Sequence, residues 1–147
     1  MLVWFLPALC TRTKKAAEAI KESGVILTED EEQRVKNAGE EEIAAVVAAI
    51  VATKSKEGKA DDVAKIVEAA VKSSPEKAAA IASESVKAAP ESAGQVAKAA
   101  SKGAPDKAGE VAKAATQAAP DKAAEVAKGA TEGAPDKAAD VAKGATE

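Results

Sequence analysis

Histidine and tyrosine are absent from this 147-residue chain, and tryptophan, phenylalanine, cysteine and methionine occur once each. Without histidine, the commonest general base and metal ligand is missing. One cysteine, Cys10, permits neither an intrachain disulfide nor a thiolate zinc cage. Trp4 and Phe5 are the only aromatics, so from Leu6 onward no ring is present to stack on a base, line a cofactor slot or anchor an interface. An excess of one charge is lacking too. Lys+Arg number 21 and Asp+Glu 24, a net −3 with the signs interleaved, which excludes the basic stripe that a nucleic-acid partner requires. The expectation is a protein that is not an enzyme, holds no cofactor and no metal, and binds no nucleic acid.

Long apolar runs are also missing. The most hydrophobic stretch is residues 1–9, MLVWFLPAL, followed by Arg12, Lys14 and Lys15. Nine residues fall short of the ~20 a membrane-crossing helix needs. A secretory leader carries its positive charges before the apolar stretch and small residues at the cleavage site. Here the charges follow, and Leu9 precedes Cys10. Residues 1–13 therefore read as an apolar N-terminal arm. A truncated leader at 1–9 would imply secretion or the cell surface, and membrane contact through 1–9 is the less favoured use of the segment; the compartment is not fixed.

What is abundant is alanine, about a quarter of the chain, arranged in a 15-residue repeat. From each proline the units read PEKAAAIASESVKAA (75–89), PESAGQVAKAASKGA (90–104), PDKAGEVAKAATQAA (105–119), PDKAAEVAKGATEGA (120–134) and PDKAADVAKGATE (135–147). Residues 60–74 fit the same frame with Ala60 in the proline position. Counting that position as zero, Ile66, Ile81, Val96, Val111, Val126 and Val141 all fall at position 6. Alanines fill most of positions 3, 7, 10 and 14, for example Ala123, Ala127, Ala130 and Ala134, and with position 6 these trace one helix face at 3.6 residues per turn. Each unit is an amphipathic helix with one β-branched knob on a face of alanine.

Proline suits the first helical position, where its missing N–H is not needed, and it disfavours α geometry in the residue before it. In 103–105 and 133–135, Gly-Ala-Pro predicts a left-handed glycine at the helix end and alanine as the link. Each unit should hold a helix of about 12 residues, roughly 18 Å long, and a link of about three. A link that short reaches only about 10 Å, so successive helices must fold back on one another. The alternative, one long helix kinked at every proline, would cost about 3 kcal/mol per interior proline.

Ahead of the array, Thr13 can cap a helix over 14–23 that Gly24 ends. Val25, Ile26 and Leu27 make an apolar link, and Thr28 with Glu31 reads as a capping box before the acidic run Glu29–Glu32. That helix should end at Asn37-Ala38-Gly39. The next runs from Glu40 to about Lys56, and another opens at Asp61 or Asp62 and reaches about Ser73. The expected fold is all-α: about nine short antiparallel helices, solenoid-like, with residues 14–59 as N-terminal helices and 60–147 as the repeat array.

In overall character the chain resembles alanine-rich short-helix repeat proteins of α-solenoid type, to which no activity attaches. The run EVAKGATEGAPDKAADVAKGATE also resembles late-embryogenesis-abundant desiccation proteins in composition, over the C-terminal half only. Those proteins use an 11-residue period without a proline per unit, so the likeness departs at its most diagnostic feature. Ser101, Thr116, Thr131 and Thr146 share position 11, an arrangement similar to alanine-rich antifreeze proteins, but fold-back would place alternate members at opposite ends. Asp–Lys pairs such as Asp106-Lys107 read as solvated first-turn charges.

The functional expectation is a structural protein that assembles with itself, as an oligomer or as a filament growing end to end. Leu2, Val3, Trp4, Phe5, Leu6 and Leu9 would form one sticky end, and Ala138, Val141, Ala142 and Ala145 the other. A scaffold that binds another protein along a helical face and a stress-protective protein, desiccation- or ice-related, are the alternatives.

Overall fold

The computed structural model describes the backbone of residues 6–147 and the side chains from Lys14 onward. Among these residues there are nine α-helices and no strand. They are α1 (Leu6–Glu22), α2 (Glu29–Asn37), α3 (Ile43–Lys56), α4 (Ala60–Ser73), α5 (Ala78–Ala88), α6 (Ala93–Gly103), α7 (Ala108–Ala118), α8 (Ala123–Gly133) and α9 (Ala138–Thr146). From α5 on, each helix is preceded by a one-turn 3-10 helix that starts at the proline, for example Pro105–Lys107. Three 3-10 residues, eleven α residues and one linking residue make up the 15-residue unit.

The link differs from the expectation. It is one residue, not three, and it is Ser74, Ala89, Ala104, Ala119 or Ala134, held at φ between −140° and −143° and ψ between 71° and 83°. The following proline accounts for this, because it bars its predecessor from the α region. Each link is tied on both sides. Its N–H donates to the carbonyl four residues back, and its own carbonyl accepts from the residue three on, as Lys107 N–H does to Ala104 O at 3.0 Å. Proline sits inside this turn, where it has no N–H to leave unpaired. Gly103 and Gly133 are not left-handed; among the described residues positive φ occurs only at Gly24 (84°) and Gly58 (73°), in the turns after α1 and α3.

Two helix starts also shift. Helix α1, Leu6–Glu22, runs through Thr13, so Thr13 caps nothing and the boundary drawn at 13/14 falls inside a helix. Helix α3 begins at Ile43 rather than Glu40. A turn over 40–42 precedes it, in which the Glu42 carboxylate accepts from Gly39 N–H at 3.3 Å. The capping box forms as read: Thr28 N–H donates to Glu31 Oε2 at 2.9 Å and Glu31 N–H to Thr28 Oγ1 at 3.3 Å. Lys54, only 4% exposed, brings its ammonium within 3.5 Å of the same Glu31 carboxylate and so pins the start of α2 to α3.

The chain folds back at every link, and the helices stack in two rows. One row holds α1, α4, α6 and α8, the other α3, α5, α7 and α9, with α2 packed on α1 and α3. Each helix from α3 on packs most heavily on the helix two ahead of or behind it. This is a solenoid, not a kinked single helix. The core lies between the rows, and Ile66, Ile81, Val96, Val111, Val126 and Val141 are all at 0% exposure within it. The N-terminal half adds Ile20, Val35, Ile43, Val47 and Val51. A fully buried valine or isoleucine contributes about 1.5–3 kcal/mol and an alanine much less, so core strength falls along the array.

Candidate association edge

A surface groove of about 590 Å3 runs over α6 and α8 and is lined by Ser55, Gln95, Lys98, Glu125 and Glu132 among others. It is open, and its polar groups engage one another: Lys98 Nζ lies 2.9 Å from Glu132 Oε2, and the Ser55 and Ser92 hydroxyls are 3.1 Å apart. Among the described residues no group of Cys, Asp and Glu could hold a metal ion, and no helix is long and apolar enough to cross a membrane. The position-11 residues form no exposed row. Ser101 is fully buried, Thr116 and Thr131 are half-buried, and Thr131 and Thr146 donate back to the carbonyls of Ala127 and Ala142.

What the structure builds instead is a repeated stacking contact between helices of one row. A Cβ on Gly129 would sit well inside contact distance of Gly94 O, and one on Gly144 would do the same to Gly109 O. Position 4 of one unit thus meets position 9 of the unit two further on, 35 residues away. At the same offset, a Cβ on Gly103 would lie 3.0 Å from Glu68 O, and one on Gly133 would come closer still to Lys98 O. A constant offset means that the stacked helices are parallel. The residues at positions 4 and 9 match throughout: Ala64 with Ala99, Ala79 with Ala114, Gly94 with Gly129, Gly109 with Gly144. Toward the C-terminus, then, glycine pairs replace alanine pairs and the backbones approach more closely.

Charges follow the same stacking. Position 8 of one unit pairs with position 12 two units on: Glu68–Lys102 at 3.1 Å, Lys98–Glu132 at 2.9 Å and Lys113–Glu147 at 3.0 Å. The remaining partners on this rule, Ser83 and Gln117, are both uncharged. The Lys98 ammonium holds the Glu132 carboxyl below the usual glutamate range, and Lys113 does the same for Glu147. At Glu68, partial burial pushes upward, but the hydrogen bonds from Lys72 and Lys102 outweigh it and the net shift is downward. A further link, Lys137 to Asp106 at 3.7 Å, places position 1 on the same contact face.

At α8 and α9 this face is uncovered. At position 4, Ala64, Ala79, Gly94 and Gly109 are half-buried, whereas Ala124 and Ala139 are exposed. At positions 3 and 7, Ala108 and Ala112 are buried, Ala123 and Ala127 half-buried, and Ala138 and Ala142 exposed. Of the expected C-terminal interface residues, Ala138 and Ala142 are therefore available and Ala145 is half-buried. Val141 is a correction: at 0% exposure it belongs to the core against α7 and cannot meet a partner. Leu2, Val3, Trp4 and Phe5 lie outside the described residues, as do the side chains of Leu6 and Leu9.

Sequence reading missed Ala124, Ala139, Lys128 and Lys143, the free positions 4 and 8. The available signal was residue matching 34 and 35 positions apart, which becomes visible once two rows of helices are assumed. No family model matches the chain, and no curated protein or solved structure is matched by it.

Proposed function

We propose that this protein is structural rather than enzymatic and assembles with copies of itself through the uncovered edge formed by α8 and α9. The observation that carries this reading is the graded loss of cover at equivalent positions, ending in the exposed Ala124, Ala138, Ala139 and Ala142. The same alanine and glycine positions in earlier units are where one helix receives the next. A face shaped to receive a helix and left open is an association surface. Ile26, 86% exposed in the link between α1 and α2, is the exposed large apolar side chain among the described residues and lies at the other end of the stack. In the head-to-tail form of this assembly the apolar residues 2–9 would supply the second contact.

Sedimentation equilibrium of the full chain tests the reading. Mass should rise with concentration, and Ala124→Lys with Ala139→Lys should abolish the rise without lowering the melting temperature of the dilute protein. A chain that stays monomeric at millimolar concentration, or a variant that associates as before, would contradict it. Deleting residues 1–9 isolates the filament form: loss of polymers, with smaller oligomers retained, assigns growth to that segment.

A further inference from the structure

The link from α1 to α2 is built differently from the links of the array. There each linking residue is bonded through both its N–H and its carbonyl, as at Ala104. At Val25, Ile26 and Leu27 neither backbone group makes a hydrogen bond among the described residues. Both flanks are nevertheless tied: Gly24 N–H donates to Lys21 O at 3.1 Å, and Thr28 N–H to Glu31 Oε2 at 2.9 Å. The three side chains alternate as along a strand. Val25 and Leu27 pack on the core, Ile26 between them is 86% exposed, and Thr28 beyond them is extended at φ −70° and ψ 159°. Residues 24–28 carry no charge.

An exposed residue with its N–H and its C=O both unused is the smallest unit of a strand edge. A single residue set opposite it in an antiparallel pair can take both bonds. Peptides that bind by strand addition use such edges. The edge favours an extended, uncharged segment of β-branched and aromatic residues, because pairs of such side chains across the strands stabilise the pairing. Leu2, Val3, Trp4 and Phe5 form a segment of that kind, and they hold both aromatics of the chain.

Their own copy cannot bring them to this edge. Counted from Leu6, residues 2–5 reach about 14 Å when extended. Ile26 lines a hollow with Lys21 and Glu32 at the far end of α1, about 22 Å along the helix axis from Leu6. A second copy meets no such limit.

We propose that residues 2–5 of one copy add as a strand to the 25–27 link of a second copy, with an aromatic ring against Ile26. This contact lies apart from the edge of α8 and α9, and it neither needs that edge nor depends on the association reading above.

Trp4 is the sole tryptophan, so its fluorescence reports on the contact directly. The full chain is followed over a range of concentrations, with circular dichroism as the folding control. Trp4 emission should move to shorter wavelength as concentration rises. Ile26→Lys should raise the midpoint of that shift about tenfold or more, because it places an ammonium in the pairing. Ile26→Pro, apolar but without the N–H, should raise it as well, whereas Ile26→Val should keep it within about threefold. The chain carrying Ala124→Lys and Ala139→Lys should behave as the wild type. Emission that does not change with concentration, or a shift that survives Ile26→Lys or Ile26→Pro, would overturn the proposal. A shift lost in the Ala124→Lys/Ala139→Lys chain would also overturn it, and would place residues 2–5 on α8 and α9 instead.

Discussion

Glycine in the middle of a helix ordinarily costs up to about 1 kcal/mol relative to alanine, so on propensity alone Gly129→Ala should stabilise α8. The stacking contact reverses that sign. The added methyl would be driven into the carbonyl of Gly94, a backbone atom with no freedom to swing away. Overpacking of this kind costs about 1–3 kcal/mol, so a lower melting temperature is expected. Ala124→Gly, on the exposed face of the same helix, should lose only the propensity difference. Thermal melts of the two variants check this, and a rise in melting temperature for Gly129→Ala would refute the glycine contact. In the sequence, Gly129 and Gly144 show only the helix-propensity cost of glycine, because the residues that require glycine there lie 35 positions away.

At the scale of the helix, local signals were legible because their partners are close in sequence. The capping box at Thr28 and Glu31, the proline at each unit start and the apolar face at positions 3, 6, 7, 10 and 14 depend on contacts within one turn or one helix. The links were misjudged because Gly-Ala-Pro satisfies two rules at once. Glycine favours a left-handed cap, but proline already sets the backbone of the alanine before it, and the glycine is then free to serve the neighbouring helix. Pairing within a row gives this scale its test. Lys98→Glu sets like charges against Glu132 and should lower the melting temperature by less than Gly129→Ala does, since both side chains are about half exposed. Adding Glu132→Lys should recover the loss. The pair also predicts a pH effect. Glu132 has its folded-state pKa lowered, so its contribution is present at neutral pH and is lost as pH falls through that lowered value, below the ordinary glutamate range. Lys98→Ala should shrink this acid-side loss; an unchanged pH dependence would remove the pair from the account.

Across the whole molecule, the sequence made the all-α stack and its N-to-C gradient readable, because the knob shrinks from isoleucine to valine and large neighbours give way to alanine. The edge itself was only half readable. Val141 carries the same pattern as its equivalents, and nothing local distinguishes a valine covered by α7 from one left open, whereas Ala124 and Ala139 matter only through the row in which they stand. The central claim, that the edge of α8 and α9 is weakly held in the single molecule and covered on association, is tested most directly by amide hydrogen exchange of the full chain at low and at high concentration. At low concentration the amides of α8 and α9 should exchange fastest within 60–147, and at high concentration they alone should slow, with α4–α6 unchanged. Uniform protection across 60–147 at both concentrations, or slowing that spares α8 and α9, would contradict the account.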